Sequence, residues 1–103
     1  MISNAKPPTK AQRKRMDALR AFGCIACYKD GMPPWTRYAG ICDVHHFTRN
    51  QKRRGHDWTI PLCDPHHVGN EMSWHKTRRK FREQYGEDED LLAYTNWTIL
   101  GVE

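Results

Sequence analysis

Two pairs of metal-type residues recur at one spacing. Cys24 and Cys27 are separated by two residues, and so are Cys63 and His66. That interval lets both side chains of a pair reach one tetrahedral cation, with each sulfur about 2.3 Å from zinc. Together the pairs form a C-x2-C…C-x2-H set of four soft or borderline ligands. A closed set of this composition predicts a structural Zn2+ at Cys24, Cys27, Cys63 and His66. The ion would join the end of the first helix to the turn near Cys63 and contribute folding energy directly. Cys42 and His45 repeat the spacing. Cys42 could replace one of the four ligands or be a buried strand thiol. Strand alternation favours the thiol, because Cys42 and His45 would point to opposite faces.

The need for such a staple follows from size. A chain of 103 residues makes one domain with a small core. A large Rossmann or barrel enzyme is excluded, and no apolar run approaches the roughly 18 residues of a membrane span. The start, MISNAKPPTKAQRKR, has no apolar signal region. With thiols kept reduced in a cytoplasm, Cys mixed with His reads as metal binding rather than as disulfides. Charge is uneven. Residues 1–54 carry 12 basic and 3 acidic side chains, whereas residues 55–103 carry 5 and 9. A basic half suggests a polyanion such as DNA or RNA.

Residues 1–9 read as a flexible basic arm and residues 10–103 as a single domain. Thr9 can cap a helix over Lys10–Phe22, with Met16, Leu19 and Phe22 on an apolar stripe and Lys10, Arg13, Lys14 and Arg15 facing out. Residues 24–40, rich in Gly and Pro, read as loop and turn. Residues 41–48 (ICDVHHFT) read as a strand, 49–55 (RNQKRRG) as a basic turn, and Trp58–Leu62 as a second short strand. A helix starts near Pro65 and weakens at Gly69–Asn70. Another runs from Ser73 or Thr77 to Tyr85, and a last one spans Glu87–Leu100. The acidic start of that last helix suits its dipole and reads as a solvated face. The fold class expected is α+β: a small zinc-stabilised ββα-metal domain with a two-stranded hairpin and flanking helices.

Several histidines remain outside the proposed zinc quartet. A neutral imidazole can hold a divalent cation or accept a proton from water near pH 7. A strand ending in His45–His46, a second strand, and a helix carrying His67 suit phosphodiester hydrolysis. One imidazole would deprotonate water while a cation neutralises the scissile phosphate.

At this point the residues resemble a known family. Cys24-x2-Cys27, Val44–His45–His46 and Pro61–Leu62–Cys63-x2-His66–His67 resemble the HNH, or ββα-metal, endonucleases. The fuller string is similar to the phage recombination-enhancement, RecA-dependent nucleases of the Ref family. It combines HHF, a basic turn, RRGHDWTIPLCDPHH and FREQYG, followed by an acidic–Leu–Leu helix, and covers about residues 22–100. The resemblance implies that His46 is the general base and that His45 and His67 bind a catalytic metal (Mg2+, Mn2+ or Zn2+). His66 stands where many relatives have a second Cys. The middle Asn of the HNH pattern has no clean counterpart, so His56 or Asp57 takes its orienting part. The usual second helix ligand would fall at Glu71. His75 is expected instead as the third ligand, and it shares a face with His67 only if the helix is continuous. A RecA filament as partner and a phage or prophage setting in the bacterial cytoplasm are implied by the resemblance alone.

Three basic clusters suit phosphate contact: Lys10, Arg13, Lys14 and Arg15; Arg49, Lys52, Arg53 and Arg54; and Arg78 and Arg79, with Lys80 and Arg82. Trp35, Trp58, Trp74 and Trp97 read as core or zinc-shell packing. The leading expectation is a metal-dependent DNA endonuclease. The alternatives are a non-catalytic zinc-finger-like DNA-binding module and a zinc-stabilised interaction module.

Overall fold

The computed structural model describes residues 7–49, 52–53 and 55–102. Helix α1 (Lys10–Phe22) forms where the sequence predicts it. Thr9 Oγ1 accepts the Gln12 amide at 3.1 Å, and the Gln12 side chain accepts the Thr9 amide at 2.9 Å. Losing such a reciprocal cap costs about 1 kcal/mol. Leu19 is fully buried, with Met16 and Phe22 half-buried beside it. Gly23 ends the helix at φ 103°. A Cβ there would lie 2.6 Å from the Arg37 carbonyl oxygen. Glycine therefore lets the following loop close on the helix end, where the Cys24 amide donates to that same oxygen at 2.8 Å.

The segment 24–40 departs from a plain loop. It contains helix α2 (Ile25–Lys29) and a 3-10 turn over Pro34–Thr36. The helix forms because Cys24 Sγ accepts the Cys27 amide at 3.4 Å, so the first thiol of the C-x2-C pair acts as the N-cap. Ile25, Ala26 and Cys27 are buried.

Strand β1 (Asp43–His46) leads into the two-residue strands β2 (Thr48–Arg49) and β3 (Lys52–Arg53), and then into β4 (Thr59–Leu62). β1 pairs antiparallel with β4, with His45 opposite Ile60 and Asp43 opposite Leu62. The basic turn expected between the strands instead closes as its own ladder, with Thr48 opposite Arg53. Every residue of β4 is buried, and the strand packs against α1, α2 and α5. Ile25, Phe47, Ile60, Leu62, Phe81 and Leu91 form the core around the Cys24, Cys27 and Cys63 thiols.

Helix α3 (Asp64–Val68) stops at Gly69. Helix α4 (Arg78–Tyr85) begins after Thr77, and α5 (Asp88–Thr95) passes into a π-helical turn over Asn96–Leu100. The last helix is thus α-helical only as far as Thr95. The result is a small α+β architecture with an antiparallel hairpin, flanking helices and a Cys/His cluster able to hold zinc. Two tryptophans depart from the expected packing. Trp35 is 83% and Trp97 65% exposed, because the turns that carry them present no buried side chain. Trp74 is buried, and Trp58 packs half-buried against the core.

Candidate functional site

Cys24, Cys27, Cys63 and His66 converge. The Cys27 and Cys63 sulfurs are 3.8 Å apart, and His66 Nδ1 lies 3.5, 3.5 and 3.1 Å from Cys24, Cys27 and Cys63. Tetrahedral zinc with ordinary bond lengths requires S–S edges of about 3.8 Å and S–N edges of about 3.6 Å. The donor set and its spacing therefore fit that ion. Without a cation these thiols resist ionisation. Burial, then the contact with Cys27, raises Cys24 to about 11. The contact with Cys24, then burial, raises Cys63 to about 12. A dication would reverse that preference.

His66 is oriented from behind. Its Nε2 lies 3.0 Å from the Tyr85 hydroxyl, which donates to Asp30 Oδ2 at 2.7 Å. Because the hydroxyl gives its proton to the carboxylate, it accepts from Nε2–H, and the Nδ1 lone pair faces the sulfurs. Nothing in the sequence pattern marked Tyr85 or Asp30, since the relay joins residues from separate elements. Cys42 lies outside the quartet. Its buried thiol donates to the Arg20 carbonyl at 3.6 Å, and burial raises it to about 11.

A second cluster gathers His45, His67 and His75. His45 is 2% exposed at the core side of β1, and its Nδ1 lies 3.1 Å from His67 Nε2. Ring centroids are 5.1 Å apart for His45–His75 and 4.8 Å for His67–His75. Burial, reinforced by the neighbouring histidines, pushes His45 down to about 3, and burial also lowers His75. Neutral imidazoles are the form that binds metal. His45 Nε2 is buried without a hydrogen-bond partner, so Nδ1 is the ring nitrogen that His45 turns toward the other two imidazoles. Three imidazoles with an open side fit a divalent cation that retains exchangeable positions.

His75 arrives by a route the sequence did not reveal. Helix α3 is not continuous, so a shared helical face does not place it. The chain turns back, and the Trp74 and His75 amides donate to the carbonyls of His66 and His67 at 2.9 and 3.1 Å. Ser73 knots the turn: its hydroxyl donates to Gly69 O at 2.6 Å, and its amide donates to Thr77 Oγ1 at 2.7 Å. Glu71 is exposed and outside the cluster. Trp74 packs at a tilt against His45, with ring centroids 4.2 Å apart, and its indole N–H donates to Asp88 Oδ1 at 2.9 Å. Asp88 is therefore a bonded member of the acidic helix start rather than a solvated one.

Alternation turns His46 to the other face of β1, half-buried, with Nε2 3.0 Å from His56 Nδ1. Asp57, the other orienting candidate, accepts from Gln12 at 3.1 Å.

The basic residues divide. Lys10, Arg13 and Lys14 are exposed along α1. Arg15 instead turns inward, bonding Thr59 Oγ1, the Thr59 carbonyl and Asn96 Oδ1 at 3.1, 2.8 and 2.7 Å. It ties α1 to β4 and the C-terminal turn, so it does not face out as its helix position suggested. Arg78 lies over the Trp74 ring at 4.0 Å and bonds Asp88 at 2.8 Å. Arg79 is exposed, 3.7 Å from Glu83. The backbones of Arg49, Lys52 and Arg53 lie on the β2–β3 ladder. Their side chains, and Arg54 entirely, lie outside the described residues, as does most of the 1–9 arm.

Hairpin, helices and clusters define a small α+β protein of the kind organised around Cys/His groups able to hold metal. The chain belongs to the family of recombination enhancement, RecA-dependent nucleases, whose model matches residues 8–99. That span includes both clusters and the His46–His56 pair. No individual curated protein matches the chain. Among the described residues, no helix is long and apolar enough to cross a membrane.

Proposed function

We propose that the chain is a metal-dependent DNA endonuclease of the HNH type that hydrolyses phosphodiester bonds during recombination in concert with a RecA filament. The observation that carries this reading is a three-histidine cluster and a His–His pair on adjacent residues of one strand. In this reading Cys24, Cys27, Cys63 and His66 hold a structural Zn2+. His45, His67 and His75 hold the catalytic ion, which is Mg2+, Mn2+ or Zn2+. When bound, that ion supplies charge neutralisation at the scissile phosphate and the leaving oxygen.

The chain's own groups supply the rest. His46 takes the proton of the attacking water. His56, at 3.0 Å, fixes which ring nitrogen of His46 carries the lone pair. Trp74 and Phe47 wall the buried side of His45 and exclude water there. Lys10, Arg13, Lys14 and Arg79, together with the basic run Arg49, Lys52, Arg53 and Arg54, contact phosphates. Contacts of this kind make binding salt-sensitive and weakly sequence-selective.

The test is nicking of plasmid or displacement-loop DNA with Mg2+ or Mn2+, with and without RecA filaments, comparing wild type with His46→Ala. Loss of cutting in the variant with zinc retained is the expected result. Undiminished cutting removes His46 as the base. Salt-sensitive binding without cleavage under every condition overturns the enzyme reading in favour of a zinc-finger-like binding module.

A further inference from the structure

We propose that Asp43 is the positioning residue of the three-histidine cluster, its carboxylate holding His67 in the tautomer that turns the Nε2 lone pair toward His45. The inference rests on the reading of that cluster as a cation site and adds a residue the sequence pattern did not mark.

Strand periodicity puts Asp43 and His45 on one face of β1. The His67 ring, delivered by α3, lies between them. Its Nδ1 is 3.0 Å from Asp43 Oδ2, and its Nε2 is 3.1 Å from His45 Nδ1. A carboxylate accepts and cannot donate, so His67 Nδ1 carries the hydrogen of that contact. In a neutral imidazole the lone pair then stands on Nε2, the atom facing His45. Two nitrogens bound to one cation at about 2.1 Å, at angles between octahedral and tetrahedral, lie about 3.0–3.4 Å apart. The observed spacing falls in that range. Asp43 is half-exposed and comes from a strand, whereas His67 comes from a helix. The contact therefore fixes ring rotation as well as tautomer across two elements. Carboxylates behind metal-bound imidazoles raise ligand basicity in the same way.

The experiment uses full-length, zinc-loaded protein, labelled with 15N, as wild type, Asp43→Ala, Asp43→Asn and Asp43→Glu. Long-range 1H–15N spectra read the His67 tautomer before any second ion is added. Calorimetry and electron paramagnetic resonance then read Mn2+ binding. Wild type is expected to show His67 protonated at Nδ1. Asp43→Ala is expected to lose that fixed tautomer and bind Mn2+ about 10–100-fold more weakly. Asp43→Asn, whose amide oxygen can still accept, is expected to fall between. Asp43→Glu is expected to recover part of the affinity. Should Asp43→Ala fail to fold, Asp43→Asn carries the comparison.

Wild-type tautomer and Mn2+ affinity in Asp43→Ala overturn the assignment. If wild type itself takes up no Mn2+, the cation reading of the cluster fails. The tautomer spectra then still decide whether Asp43 positions His67.

Discussion

The amide of His75 donates to the carbonyl of His67 at 3.1 Å, and this bond returns the chain to the helix it has just left. Trp74 does the same to His66 at 2.9 Å. Two consecutive residues of α3 thus serve different clusters, one imidazole each, while their carbonyls hold the loop that brings the third histidine. The metal-type groups of this protein are linked through backbone as well as through side chains.

Gly69 makes that return possible. A Cβ at this position would collide with the carbonyl oxygen of Pro65. Gly69→Ala is expected to cost about 1–3 kcal/mol through forced backbone displacement. It should also weaken Mn2+ binding at His45, His67 and His75 while the zinc quartet stays loaded. Thermal melts and Mn2+ calorimetry check this; unchanged values for both would show that the loop accommodates the methyl group.

Zinc removal is expected to unfold the chain. A structural site of this kind contributes about 10–16 kcal/mol, comparable to or above the roughly 5–15 kcal/mol total stability of an ordinary domain. Elemental analysis should find one tightly held zinc per chain. A strong chelator should abolish the cooperative melt, and Cys63→Ser should do the same without chelator.

Arg15 and its helix neighbours are expected to separate experimentally. Arg15→Ala removes three hydrogen bonds and should lower the melting midpoint with little effect on the salt dependence of DNA binding. Joint replacement of Lys10, Arg13 and Lys14 by Ala should leave the melt nearly unchanged. It should also flatten the plot of log affinity against log salt by up to about 0.9 per lost phosphate contact. Fluorescence anisotropy over a salt series distinguishes the two.

Cys42 predicts a pH dependence. Burial raises its thiol from 9.0 to about 11. The folded state therefore holds this proton more tightly than the unfolded chain. The stabilisation is complete below pH 9 and is lost as pH rises from 9 through 11. Denaturant melts across that window should show a steeper loss for wild type than for Cys42→Ser. Iodoacetamide should modify Cys42 slowly until the chain unfolds.

Local signals were legible wherever the chemistry is local. Thr9 and Gln12 announce a helix start, and matched two-residue spacings announce a ligand quartet. Alternation in the strand separated Cys42 from His45, and the structure keeps Cys42 outside both clusters. What escaped notice depends on long-range closure. Asp43 meets His67, and Tyr85 meets His66, across elements that no sequence window contains. His75 joins its cluster through carbonyl acceptors rather than helical period. Arg15 looks solvent-facing on its helix, but α1 lies against β4 and the C-terminal turn, where three acceptors capture it. Trp35 shows the reverse failure: an aromatic residue suggests a core, yet a turn opened by Pro33 and Pro34 holds it in solvent.

The thiol cap at the start of α2 implies an order of assembly. Cys24 and Cys27 are held together by a single helical turn, with the cap bond at 3.4 Å already in place. A half-site of this kind forms at small loop-closure cost, and so does the Cys63–His66 half-site at the head of α3. Uniting the halves closes a much longer loop, and that loop is the segment bearing β1, His45 and His46. An ion captured early on one half would act as a seed on which the other half closes, with the β1–β4 hairpin drawn taut last. Refolding at limiting zinc should then be slowed in the hairpin before it is slowed in α2.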